Sequence, residues 1–171
     1  MTASTGEPQA RIVVGIDGSE GSKHALRWAV RQAGFTGAAV EAVSAWEYPA
    51  YFGWAQGMPS DYDLAGFAQQ ALTETLDEVL GPERPTWLRT RVVQGHPAQV
   101  LVEASAGAEL LVVGSRGYGG LADVMLGSVS TYCVHHAHGP VTIIRPPGDP
   151  ATPDGAVDKA PDQAATGDLS L

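Results

Sequence analysis

Residues 110–134, LLVVGSRGYGGLADVMLGSVSTYCV, carry the densest set of groups in this chain that could do chemistry. Glycines stand at 114, 117, 119, 120 and 127, and both Gly114 and Gly127 are followed by serine. The spacing is Gly114-x2-Gly117-x9-Gly127-Ser128. The chemistry it suggests is anion capture. Glycine lacks a Cβ, so it takes φ > 0 and lets a ligand approach the main chain. Successive amides in a tight turn converge into a nest for anions. Ser128 reads as the N-cap of a following helix, whose free amides and dipole attract phosphate. The hydroxyls of Ser115, Ser128 and Ser130 add donors, and Arg116 is the only cation of the stretch. The plainer alternative is a set of turn glycines between a strand and a helix.

Other chemistries find less support. The pattern GxxxxGK[ST] is absent and residues 110–134 hold no lysine, so there is no P-loop. Gly117-Tyr118-Gly119-Gly120-Leu121-Ala122 fits GxGxxA formally, but it does not open a helix directly and lies late in the chain. No GxSxG elbow, cysteine–histidine arrangement or close acid pair appears in the glycine stretch. Its one carboxylate, Asp123, is explained by the first turn of a helix. Asp17, in Asp17-Gly18-Ser19, serves equally as a turn residue or as a carboxylate beside a ligand. His135 and His138 are three apart on a helical pattern, but a metal needs three or four oriented ligands, and a last-turn dipole accounts for them. Cys133 falls at an apolar helical position and reads as a buried thiol.

These residues need elements to position them. Arg11–Ile16 reads as a first strand, ended by Asp17. A helical face of Ala25, Leu26, Ala29, Val30 and Ala33 follows, closed by Gly34 to Gly37. Ala38–Trp46 is a second strand. Glu47–Ser60 is an aromatic loop, read as a cover over the core or a lid. Asp61–Leu80 is a second helix, with Leu64, Phe67, Ala68, Ala71, Leu72, Leu76 and Val79 at helical spacing. Trp87–Val93 alternates as an edge strand does. Pro97 opens a third helix with Val100, Leu101 and Ala104 inward. Leu110–Gly114 is the fourth strand, Ser128–His138 the fourth helix and Val141–Arg145 the fifth strand. Alternating strands and helices of these lengths predict an α/β, parallel sheet with helices on both faces. In such sheets ligands sit beyond the carboxyl ends of strands where strand order reverses. If strands one and four are neighbours there, Asp17 and the glycine run meet in one crevice.

At 171 residues with 44% hydrophobic content, the chain is long enough for one core. A formal net charge of −9 disfavours nucleic acid and anionic membranes as partners. A single cysteine excludes an internal disulfide framework. No secretory h-region or span-length apolar run is present, so a cytoplasmic location is expected. The domains expected are a flexible N-terminus (1–10), a folded unit (11–145) and an acidic, proline-rich tail (146–171) that buries too little to order itself.

The two ends of the folded unit, VVGIDGSEGSKHALRWA and VVGSRGYGGLADVMLGSVS, with the terminal PVTIIRP, resemble the universal stress protein family. The resemblance covers about residues 11–145, and the glycine spacing resembles that of the family's ATP-binding branch. It implies a single Rossmann-like domain with a five-stranded parallel sheet in order 3-2-1-4-5. It also implies ATP, with Mg²⁺, in the crevice. Asp17, after Gly15 and Ile16, would contact the adenosine part. The Ala45 backbone would meet the adenine edge. Val113, Gly114, Ser115, Arg116 and Gly117 would run along ribose and phosphates, Arg116 standing at a variable position of the motif. Gly127, Ser128, Val129 and Ser130 would hold phosphates. A homodimer through Val141–Arg145 is implied too, which would cover an otherwise unpaired sheet edge. The function expected is an ATP-binding regulatory protein of the stress response, with an unidentified protein partner possible. A slow ATPase or nucleotidyl transferase using the same crevice and a nucleotide-free dimeric interaction module stand as alternatives.

Overall fold

Short apolar runs rich in β-branched residues form the strands, and glycine ends β1 (Arg11–Gly15) and β4 (Leu110–Gly114) and directly follows β3 (Leu88–Gln94). The computed structural model describes residues 10–48, 63–117 and 126–147. Strands β1 (Arg11–Gly15), β2 (Ala39–Trp46), β3 (Leu88–Gln94), β4 (Leu110–Gly114) and β5 (Val141–Ile144) alternate with helices α1 (Glu20–Thr36), α2 (Leu64–Leu80), α3 (Pro97–Ala104) and α4 (Ser128–His136). All pairings are parallel and the order is β3-β2-β1-β4-β5. This is the Rossmann-like α/β arrangement expected from the sequence.

Period-2 alternation divides each central strand between two apolar layers. Ile12, Val14, Val40, Ala42 and Val112 face α1 and α2, where Ala25, Leu26, Ala29, Leu72 and Leu76 close over them. Val13, Val43, Leu111 and Val113 face the other way, against Val100, Leu101 and Ala104 of α3 and Cys133 of α4. Burial pushes the Cys133 thiol up to about 11, so it stays protonated and packs as a small apolar group.

Local chemistry sets the helix ends. The Ser19 hydroxyl accepts from Ser22 N at 3.2 Å to start α1, and Gly37, at φ 72°, ends it in the left-handed conformation. Gly34 lies within that helix rather than closing it. The helix expected from Asp61 begins at Leu64, because Asp63 caps it by accepting from Gly66 N at 2.8 Å. Its buried residues are Leu72, Thr75 and Leu76, whereas Phe67, placed on the apolar stripe by spacing, is exposed. α4 stops at His136, with Ala137 as its C-cap in extended conformation, so His135 and His138 do not share a helical face. Among the described residues no group of three or more His, Cys, Asp or Glu could hold a metal. β1 ends at Gly15 and β5 at Ile144, each one residue earlier than expected. The aromatic loop from residue 49 on, Asp123, and residues 148–171 of the expected tail lie outside the described residues.

One buried charge was not foreseen. Glu41, on β2, is 6% exposed. It is salt-bridged to Arg11 and accepts from Arg91 at 3.0 Å, and Arg11 also donates to the carbonyls of Ala104 and Ala106 at 3.0 and 2.9 Å. Burial alone would raise its pKa, but the hydrogen bonds from Arg11 and Arg91 outweigh that and hold the carboxyl below its ordinary value. A depressed folded-state pKa means the stabilisation is present above the unfolded value and is lost as pH falls through the folded one. We predict that Glu41→Gln costs about 1–2 kcal/mol near pH 7, a figure reduced because both arginines reach solvent. The gap between wild type and variant should close as urea unfolding is followed from about pH 6 to about pH 2. A gap that stays constant over that range would show that the Glu41 charge is not what stabilises.

Candidate functional site

From β1 the chain proceeds to β2 and β3 on one side of the sheet, whereas β4 and β5 build the other side. The strand order reverses between β1 and β4, and their carboxyl ends open into a cavity of about 440 Å³. The fold brings nearly all the expected site residues to its wall. Gly15, Ile16 and Asp17 come from the end of β1, and Ala45 from the end of β2. Val113, Gly114, Arg116 and Gly117 come from the end of β4, and Gly127, Ser128, Val129 and Ser130 from the start of α4.

Ser115 is the exception. It is fully buried and does not line the cavity. Its N–H donates to Ile144 O at 2.7 Å and its carbonyl accepts from Gly127 N at 2.8 Å. It therefore pins the turn after β4 to β5 and to the start of α4, and its hydroxyl does not reach the cavity wall.

Two further expectations need correcting. The N-cap of α4 is Gly127, at φ −69° and ψ 163°, with Ser128 the first helical residue. Gly127 has no side chain, so no side chain caps this end, in contrast to α1. First-turn amides have no partner inside a helix, so this end offers its N–H groups to the cavity that its residues line. The Ser130 hydroxyl donates to Gly114 O at 2.7 Å and Ser115 O at 3.3 Å. It ties α4 to the end of β4, which leaves the Ser130 amide as the group that could donate to an anion.

The glycines serve a purpose other than left-handed backbone. Gly114, Gly117 and Gly127 do not lie in the left-handed region. Gly114 and Gly117 are small because space is short, whereas a Cβ on Gly127 would make only ordinary contacts at 3.5 Å and beyond. A Cβ on Gly114 would stand 2.6 Å from the Gly21 carbonyl carbon, and one on Gly21 would stand 2.5 Å from the Arg116 carbonyl oxygen. The first turn of α1 and the turn after β4 therefore touch backbone to backbone. A Cβ on Gly117 would collide with Oδ2 of Asp17. Asp17 is itself held, since Oδ1 accepts from Ser19 N at 2.9 Å and from Ser19 Oγ at 2.5 Å. Gly18 makes that bend, at φ 85°.

The wall is mostly apolar, and among the described residues its charged members are Asp17 and Arg116. Ser19, the N-cap of α1, Ser22 of α1, Val43 of β2, Pro97 and Leu101 of α3, and Leu126 also line it. Leu101 was expected only as core. The part of the cavity it shares with Pro97 depends on how α3 sits over β1, which a linear pattern does not reveal. A pocket with an apolar end, one carboxylate and a cluster of backbone donors suits a ligand with a flat apolar part, hydroxyls and an anionic end.

Residues 10–145 match the universal stress protein family. The chain belongs to that family. This universal stress protein is 35% identical over 144 residues to one from Mycobacterium tuberculosis, covering 82% of this chain and 50% of the relative. It spans about half the length of the curated relatives it matches. Among solved structures it resembles UspA from Lactobacillus plantarum, with a TM-score of 0.63 at 23% identity over 82% of this chain and 100% of that one, a likeness of fold. It also resembles a universal stress protein in complex with cAMP, with a TM-score of 0.51 at 27% identity over 81% of this chain and 98% of that one.

Proposed function

We propose that this universal stress protein is an ATP-binding regulatory protein of the stress response, with the nucleotide in the cavity between the ends of β1 and β4. The observation that carries the reading is the start of α4, Gly127 to Ser130, with no side-chain cap, lining one cavity together with Asp17 and Gly117. Asp17, oriented by Ser19, accepts from the adenosine part. The Ala45 backbone meets the adenine edge. Gly114 to Gly117 run beside ribose and phosphates, and the amides of Ser128, Val129 and Ser130 take the phosphates. The cAMP complex of a relative supports an adenine nucleotide as ligand and favours a second reading, a nucleotide with a single phosphate.

The donor set does not fit a protein-held Mg²⁺. Asp17 is the only carboxylate among the described lining residues, and one of its oxygens is engaged by Ser19. Among the described lining residues there is no base–nucleophile pair, and we read the site as a switch rather than a catalyst. Bound nucleotide would favour one conformation or assembly by binding it better than the other. A homodimer through β5 and Arg145 fits the same reading. Val141–Ile144 are only half-buried and form a sheet edge whose outer backbone groups need partners.

Native mass spectrometry of the purified protein, alone and with ATP, AMP or cAMP, tests the proposal. A chain that carries or takes up ATP, with little turnover on incubation, is the expected result. Preference for a monophosphate would favour the second reading. Rapid hydrolysis would make the protein an enzyme, and no uptake of any nucleotide would leave an interaction module.

A further inference from the structure

Beside the packed face of α1, a second groove of about 380 Å³ lies between that helix and the end of β5. Its charged wall is basic. His24, Arg27 and Arg31 line it from α1, and Arg145 joins them just beyond β5. The spacing 24, 27, 31 puts the three helix residues in one stripe. Trp28, Ile143 and Ile144 add apolar lining. Arg27 and Arg31 are exposed, and neither forms an ion pair among the described residues. A concentration of cations is unexpected on a chain of formal net charge −9.

The complementary charge lies next to it in sequence. Pro147 lines the groove, and the residues after it include Asp149, Asp154 and Asp158, with Lys159 the only cation from 148 to 171. We infer that the groove is an intramolecular docking surface for the acidic stretch 149–158. The reach is sufficient. Pro150 and Pro153 favour extended backbone. At about 3.1 Å per residue, Asp149 and Asp154 stand about 15 Å apart, against about 10 Å along α1 from His24 to Arg31. Each exposed ion pair is weak, but attachment directly at Pro147 supplies the stretch at an effective concentration in the mM range. The same helix supplies Ser22, and its N-cap Ser19, to the cavity between β1 and β4, so an occupied groove would bear on α1 beside that site.

The test is an amide NMR comparison of the full chain with two variants, Asp149→Asn/Asp154→Asn/Asp158→Asn and Arg27→Glu/Arg31→Glu. Salt is raised from about 0.01 M to about 1 M, which shortens the screening length about tenfold. In wild type, resonances of residues 24–31 and 149–158 should shift together with salt. The Asp→Asn variant should move the 24–31 resonances the same way at low salt and lose most of their salt response. The Arg→Glu variant should return 149–158 to unstructured chemical shifts. If that variant fails to fold, the Asp→Asn variant alone decides. Unchanged 24–31 resonances in the Asp→Asn variant would overturn the inference. So would shifts of 149–158 that grow with protein concentration beyond any change at Val141–Ile144, which would make a second copy the occupant, and so would a groove that responds to inorganic phosphate but not to the Asp→Asn changes.

Discussion

Gly117→Val is expected to abolish tight nucleotide binding while leaving the fold in place. The new Cβ would meet Oδ2 of Asp17, and the added methyls demand still more room at a residue of the cavity wall. Asp17 has little freedom to yield, because Ser19 holds its other oxygen through both main chain and side chain. Either Asp17 leaves Ser19 or the turn after β4 moves outward, and both outcomes spoil the cavity. A displacement of this kind should cost about 3 kcal/mol of binding, roughly 100-fold in Kd. Gly117 is exposed and outside regular structure, so the thermal midpoint should change little. Calorimetric titration of ATP into wild type and variant reads the effect. Equal affinities would place the ligand elsewhere.

Gly114→Ala should act on the fold itself. The methyl group would stand 2.6 Å from the carbonyl carbon of Gly21, and that neighbour is backbone in the first turn of α1, which cannot rotate away. Relief requires α1 to slide from β4 or the sheet end to bend, a form of overpacking that costs about 2–3 kcal/mol. For a domain of this size the thermal midpoint should fall by about 5–10 °C. Gly34→Ala is the control, because a Cβ there meets nothing within 4 Å and helix propensity rises. A Gly114→Ala protein as stable as wild type would mean that the close contact between α1 and the turn after β4 is not tight in solution.

The architecture was legible because its signals are local and repeated. β-branched runs alternate with helical stripes, and a parallel sheet requires that order. Strand order came from the family resemblance, since periodicity does not say which strands pair. The crevice followed from β1 and β4 being neighbours. What sequence missed was three-dimensional. Ser115 looks like a donor in the motif, yet it is buried as a pin between β5 and α4. Ser128 has the chemistry of an N-cap, yet the cap falls on Gly127, and that leaves the amides open. Glu41 sits in a β2 run that reads as apolar, and its partners Arg11 and Arg91 are 30 and 50 residues away. Gly21 gave no sign of touching the glycine run, because that contact exists only when α1 lies over β4.

The central claim is that an adenine nucleotide occupies the cavity between β1 and β4. The most direct measurement is a titration of isotopically labelled protein with ATP, followed at every backbone amide. Saturable shifts are expected to be confined to Ile16–Asp17, Ala45, Gly114–Gly117 and Gly127–Ser130, with the amides of Ser128 to Ser130 moving most as they take phosphate. Shifts that cluster elsewhere, or spectra unchanged at millimolar ATP, would contradict it.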